Sequence, residues 1–136
     1  MKILIMGLPG SGKTYLSERL QPLLEAAWYN ADKVRGMAGD WDFSEDGRTR
    51  QSLRMKTLAD FESSHNRFVI CDFVCPTEET RRIFNPDILI WLDTIKEGRF
   101  EDTNAMFEKP KKCDYTITEW NEENHVTIAK ELIKNV

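Results

Sequence analysis

The chain has 136 residues, 40% hydrophobic and 31% charged, with a formal net charge of −4. That size and composition fit a single domain over residues 1–136 and exclude collagen-like, disordered and membrane classes. The two signs of charge are interspersed and leave no basic stripe for gripping a nucleic acid, so neither a nucleic acid nor a membrane is an expected partner.

Lys2–Met6 is a compact apolar run that stops at Gly7, as a buried parallel strand does when it opens into a loop. It is too short for a signal-peptide core or a membrane span, and a cytoplasmic location is the expectation. Gly7-Leu8-Pro9-Gly10-Ser11-Gly12-Lys13-Thr14 follows at once and fits G-x-x-x-x-G-K-[ST]. A helix is predicted over residues 13–26, with Leu16, Leu20, Leu23 and Leu24 at helical spacing and Pro22 kinking or interrupting it. Residues 27–29 read as a second strand and 32–37 as a helical turn. The stretch 39–47 has two glycines and no period, so it reads as a surface loop. A helix is expected over 48–63 with Leu53, Leu58 and Phe61 inward. Apolar runs at 67–71 and 88–92 read as strands, each followed by an aspartate, Asp72 and Asp93. Residues 115–118 make a last strand and 122–133 a closing amphipathic helix. Strands alternating with helices imply an α/β protein with a mostly parallel five-stranded sheet in three α/β/α layers, a P-loop NTPase fold.

The glycine motif carries the chemistry. Its glycines let the backbone curl until successive N–H groups face one anion, and the helix start adds unpaired donors and a positive partial charge. Phosphate is the natural guest. Lys13 then reaches the β- and γ-phosphates of ATP, and the Thr14 hydroxyl ligates Mg²⁺. Phosphoryl transfer also needs a carboxylate near the metal or the acceptor. Asp32 and Asp72 follow strands at the carboxyl edge of the sheet, beside the loop, and are candidates to contact Mg²⁺, its water shell or the acceptor. Asp32 reads alternatively as a helix N-cap, and Asp72 as a solvated strand end. Arg35, Arg48 and Arg54 are candidates to clamp an anionic substrate, as guanidinium suits phosphate and sulfate oxygens. Trp28, Trp41, Phe43, Trp91 and Phe107 read one by one as packing residues. Cys71, Cys75 and Cys113 have neither disulfide nor zinc spacing and read as small apolar residues.

Beyond the glycine loop, further motifs resemble those of the adenylylsulfate kinase (APS kinase) family, P-loop enzymes that use ATP to phosphorylate the ribose 3′-hydroxyl of adenosine 5′-phosphosulfate. Asn30-Ala31-Asp32-Lys33-Val34-Arg35 resembles D-G-D-N-V-R, with Asn30 replacing the first acid. Asp40-Trp41-Asp42-Phe43-Ser44 followed by Arg48 resembles D-L-G-F-S followed by D-R, with Gly47 at the Asp. Gln51 and Arg54 fall near E-N-x-R-R. Asp72-Phe73-Val74-Cys75-Pro76 is similar to S-F-I-S-P, and Met106-Phe107-Glu108-Lys109-Pro110 to P-Y-E-x-P.

The resemblance implies an ATP- and Mg²⁺-dependent phosphotransferase with Lys13 and Asp32 as catalytic residues. It places the nucleotide on Gly7, Pro9, Gly10, Ser11, Gly12, Lys13, Thr14 and Phe107, and the metal on Thr14 and Asp32. The acceptor falls to Asp32, Arg35, Phe43, Arg48, Gln51 and Asp72. Between Asp93 and Asn104 the family carries a longer basic lid, where this chain has a short segment whose cations are Lys96 and Arg99. The other readings are a P-loop kinase for a different acceptor (a nucleoside, sugar, small antibiotic or nucleic-acid hydroxyl), a nucleotide-binding sensor without catalysis, and a purely structural α/β domain.

Overall fold

The computed structural model describes residues 1–98 and 100–136. Its strands are β1 (Lys2–Met6), β2 (Ala27–Asn30), β3 (Val69–Asp72), β4 (Ile88–Leu92) and β5 (Tyr115–Ile117). Its helices are α1 (Lys13–Leu24), α2 (Ala31–Ala38), α3 (Glu45–Ser64), α4 (Glu78–Phe84), α5 (Glu101–Met106) and α6 (Asn124–Lys134). The strands form one sheet in the order β2-β3-β1-β4-β5, and every pairing is parallel.

Side-chain alternation along β1 explains the layering. Ile3 and Ile5 pack with Leu16, Leu20 and Leu24 of α1 and Ile128, Ala129 and Leu132 of α6. Leu4 and Met6 point the other way, onto Met55 and Ala59 of α3 and Phe84 of α4. Both faces of β1 are therefore covered, as an all-parallel sheet requires. All carboxyl ends lie on one edge. The chain leaves β1 toward β2 on one side and later crosses to β4 on the other, so the crevice outside β1 is where such sheets bind ligands.

Several expectations need correction. Pro22 does not interrupt α1: it sits in the last turn, and the helix ends two residues later at Leu24, followed by Glu25 in a left-handed conformation. Leu23 is exposed. Helix α3 starts at Glu45 rather than 48, because the Ser44 hydroxyl accepts from the Gly47 N–H and caps it. Gly47 lies inside that first turn with the Asp42 backbone folded so close that no Cβ would fit. The inner face of α3 is also different. Leu53 and Phe61 are exposed, while Gln51, Ser52, Met55, Ala59 and Glu62 are buried. Helices α4 and α5 were not expected at all. In α4 a Thr77/Thr80 capping box starts seven residues that bury Phe84, too short a run to show a period.

Replacing Met55 by Ala should lower unfolding free energy by about 2–5 kcal/mol, whereas Leu53→Ala should change it by about 0.5 kcal/mol or less. Urea unfolding of both variants checks the assignment of the inner face.

Candidate active site

The loop after β1 builds the first wall. Gly12 caps α1 at φ 103°, a left-handed conformation that an L side chain adopts only with strain. The indole of Trp120 lies against it, well inside the distance at which a Cβ would clash. Tyr15 meets the same indole edge-on, with ring centroids 4.9 Å apart. Lys13 Nζ donates to the carbonyls of Gly7 and Leu8 at 3.0 and 3.2 Å, arching the ammonium over the loop. Ser11 Oγ is buried with no hydrogen-bond partner among the described residues. Thr94 Oγ1, in the segment after β4, donates to the Ser11 carbonyl at 2.8 Å and ties that segment to the loop.

A cavity of about 900 Å³ opens from this loop along the carboxyl edge. Pro9, Gly10, Gly12, Lys13 and Thr14 line one end. Asp32, Arg35, Phe43, Arg48, Gln51 and Asp72 line the rest, together with Phe100, Asp102 and Thr103. Thus most residues singled out from the sequence converge on one space.

Two cations flank one ring there. The Arg35 guanidinium lies 4.3 Å from the Phe43 centroid and that of Arg48 5.5 Å. Arg35 is 4% exposed and donates to the carbonyls of Asp40 and Asp42. Burial pushes its pKa down, while the Asp40 charge opposes the shift. Burial likewise lowers Arg48, with Asp102 pulling the other way. Arg48 donates to the Phe43 carbonyl and to Thr103 Oγ1, both at 2.9 Å. The loop carrying Trp41 and Phe43 is braced from outside the cavity: Asp40 accepts from Arg50 at 2.7 Å and Arg54 at 2.8 Å, and these hold its carboxyl well below the usual carboxylate range.

The structure revises some placements. Asp32 is not the N-cap of α2; Asn30 is, and Asp32 stands exposed in the first turn. Asp72 is not a solvated strand end, being 2% exposed and accepting from Trp28 Nε1 and Asn30 Nδ2. Phe107 does not line the cavity: it packs in the α3/α4 core with the Arg81 guanidinium 5.5 Å from its ring. Arg54 is engaged by Asp40 and Gln51. Trp41, read as a packing residue, and Phe43, which the resemblance gave to the acceptor, are about half exposed and line the cavity. Lys96 is exposed, and Arg99 lies outside the described residues. Residues the sequence did not single out include Phe100, Asp102, Thr103 and Trp120. Thr103 reaches Arg48 across 55 positions, a separation with no local pattern to read.

For a metal, Thr14, Asp32 and Asp72 all face the cavity, whereas no group of three His, Cys, Asp or Glu that could hold an ion occurs among the described residues. A few hard oxygens beside a phosphate cradle fit Mg²⁺, which keeps most of its shell as water and nucleotide oxygens.

A parallel sheet in this order, with a glycine loop and helix start at the end of its central strand, is the architecture of P-loop phosphotransferases. A family model described as an AAA domain matches residues 3–114. A probable adenylyl-sulfate kinase of Aeropyrum pernix is 32% identical over 126 residues, covering 79% of this chain and 67% of that protein. The chain belongs to the adenylylsulfate kinase-like family of P-loop kinases. In fold it is similar to the crystal structure of APE1195, with a TM-score of 0.83 and 24% identity over 98% of this chain and 94% of that one. It is also similar to the Mycobacterium tuberculosis APS kinase CysC solved with AMPPNP and APS, with a TM-score of 0.73 and 20% identity over 98% and 95%.

Gly12→Ala forces a Cβ onto Trp120 at a positive φ, strain of about 1–3 kcal/mol. We expect nucleotide affinity to fall by about tenfold or more, one decade per 1.4 kcal/mol. Calorimetric titration with a non-hydrolysable ATP analogue measures it.

Proposed function

We propose that residues 1–136 form one kinase domain that transfers the γ-phosphoryl group of ATP to the 3′-hydroxyl of adenosine 5′-phosphosulfate. The observation that carries this reading is that one cavity joins the phosphate loop to Asp32, Arg35, Phe43 and Arg48. The motif resemblance and the relative from Aeropyrum pernix supply the acceptor.

In this scheme the backbone N–H groups of residues 10–14 and the start of α1 hold the phosphates, and Lys13 swings from the Gly7 and Leu8 carbonyls to the β- and γ-oxygens. Thr14 and Asp32 would hold Mg²⁺, which when bound neutralises charge on the transferring group. Asp32 orients the acceptor hydroxyl and takes its proton as the new P–O bond forms and the bond to the ADP oxygen breaks. Arg35 and Arg48 bind the acceptor's anionic group, and the exposed face of Phe43 takes its planar part. Water is excluded by the wall that Phe100 and Thr103 contribute.

A second reading keeps the transfer and changes the acceptor. Asp102 faces Arg48 across the cavity wall and offsets part of its charge, which favours a less anionic hydroxyl compound such as a sugar or nucleoside. Sugar kinase and shikimate kinase structures share the fold.

Incubation with ATP·Mg²⁺ and APS should yield ADP and the 3′-phosphorylated product by mass-resolved chromatography, and Lys13→Ala should abolish both. ATP binding without product would send the acceptor assignment to the second reading, or to a sensor role if a panel of sugars and nucleosides also fails. Asp32→Asn should lower kcat by about 10²–10⁴-fold. Equal losses of ATP affinity and kcat in that variant would count against Asp32 as the base.

A further inference from the structure

The ends of β2 and β3 carry a hydrogen-bonded cluster that the reaction scheme leaves unused. Asn30 and Asp72 stand opposite one another in the parallel register. Trp28, two residues before Asn30, projects to the same face of the sheet. Both oxygens of Asp72 are engaged: Oδ2 accepts from Trp28 Nε1 at 2.5 Å, and Oδ1 from Asn30 Nδ2 at 3.0 Å.

The other end of the Asn30 amide is also committed. Its Oδ1 accepts from the Lys33 N–H at 3.1 Å and caps α2, the helix that carries Asp32 and Arg35. With the oxygen so engaged, only the NH₂ group can face the carboxylate. An aspartate at position 30 would cap the helix equally well but would set one carboxylate against another. From α1, the Lys13 charge attracts Asp72 and the Ser17 hydroxyl supports it. Burial pushes the Asp72 carboxyl up, and these donors and the Lys13 charge oppose that push.

We infer that Trp28 and Asn30 are positioning residues that clamp the Asp72 carboxylate in one orientation beside the phosphate loop, and that Asn rather than Asp stands at position 30 because Asp stands at 72. The clamp holds a carboxylate of the cavity wall and at the same time ties it to the start of α2. Loosening it therefore disturbs turnover while leaving the phosphate cradle in place. The consequence for turnover rests on the kinase reading; the clamp itself is tested without turnover.

The chain has four tryptophans, so the full-length protein shows few indole N–H resonances, and Trp28→Phe assigns the one of interest. That resonance should lie downfield and move on Asp72→Asn, which removes the charged acceptor. In Asn30→Asp, which keeps the helix cap, the same resonance should also move, because the facing carboxylates repel one another and the Asn30 donor to Asp72 is lost. With an acceptor the wild-type chain turns over, Trp28→Phe and Asn30→Asp should each lower kcat by about ten- to a hundredfold, the range for a hydrogen bond to a charged group. The KM for ATP should change by about threefold or less in both, as expected when ground-state binding is retained.

Thermal melts identify a Trp28→Phe protein that has lost its fold, in which case Asn30→Asp decides. An indole resonance unmoved by Asp72→Asn overturns the clamp, and so does Asn30→Asp with wild-type kcat and an unmoved indole resonance. Failure of the wild-type chain to phosphorylate APS would remove the acceptor proposed above and leave the resonance experiment to decide the clamp.

Discussion

Strand β1 is hydrogen-bonded to β3 on one side and β4 on the other, and four of its residues are wholly buried. The glycine loop can lie where it does because this strand is fixed at the middle of the sheet. A parallel neighbour on each side brings the ends of β3 and β4 level with the loop, and β2 follows one strand further out. Everything that faces the cavity is thereby delivered to one edge by backbone pairing. The side chains there are spared any role in holding the layers together, which fall to the Ile, Leu, Met and Phe residues behind them.

The charges at that edge are arranged in two shells. Asp40, Arg50 and Arg54 form an outer brace whose ion pairs fix the 39–44 loop without entering the cavity. Inside it, Arg35 and Arg48 are held by backbone carbonyls, a threonine hydroxyl and the face of Phe43. Partial burial weakens a guanidinium's hold on its proton but does not discharge it, so both remain cations whose field is poorly screened by solvent. The acids facing them, Asp32, Asp72 and Asp102, keep the cavity close to balanced rather than strongly positive.

Much of this was legible in the sequence where the signal is local. The 2–6 strand, the glycine loop and the start of α1 are contiguous, and each follows from its own residues. Strands 88–92 and 115–117 also fall close to where they were expected. The inner face of α3 was misread because its buried positions are Gln51, Ser52, Met55, Ala59 and Glu62, a mix that hydrophobic periodicity does not reveal, while Leu53 and Phe61 face solvent. Helices α4 and α5 escaped because seven and six residues are too few to establish a period. Phe107 was carried to the nucleotide by motif likeness, yet it packs in the core.

By itself the sequence determined the chemistry on offer: a phosphate loop with Lys13 and Thr14, strand-end carboxylates and a set of arginines, in an α/β alternation that fixes the class of fold. Each of those features is a local pattern in its own stretch of chain, so short-range geometry is enough to read it. Only the tertiary structure decided which of the candidates share a space. It sorted Arg35 and Arg48 into the cavity and Arg54 into the brace, and it joined Arg48 to Thr103. It also converted Asp72 from an expected solvated end into a buried carboxylate held by Trp28 and Asn30. The reason is physical: strand register and helix packing set these distances across 40 or more residues of chain, and no local pattern encodes them.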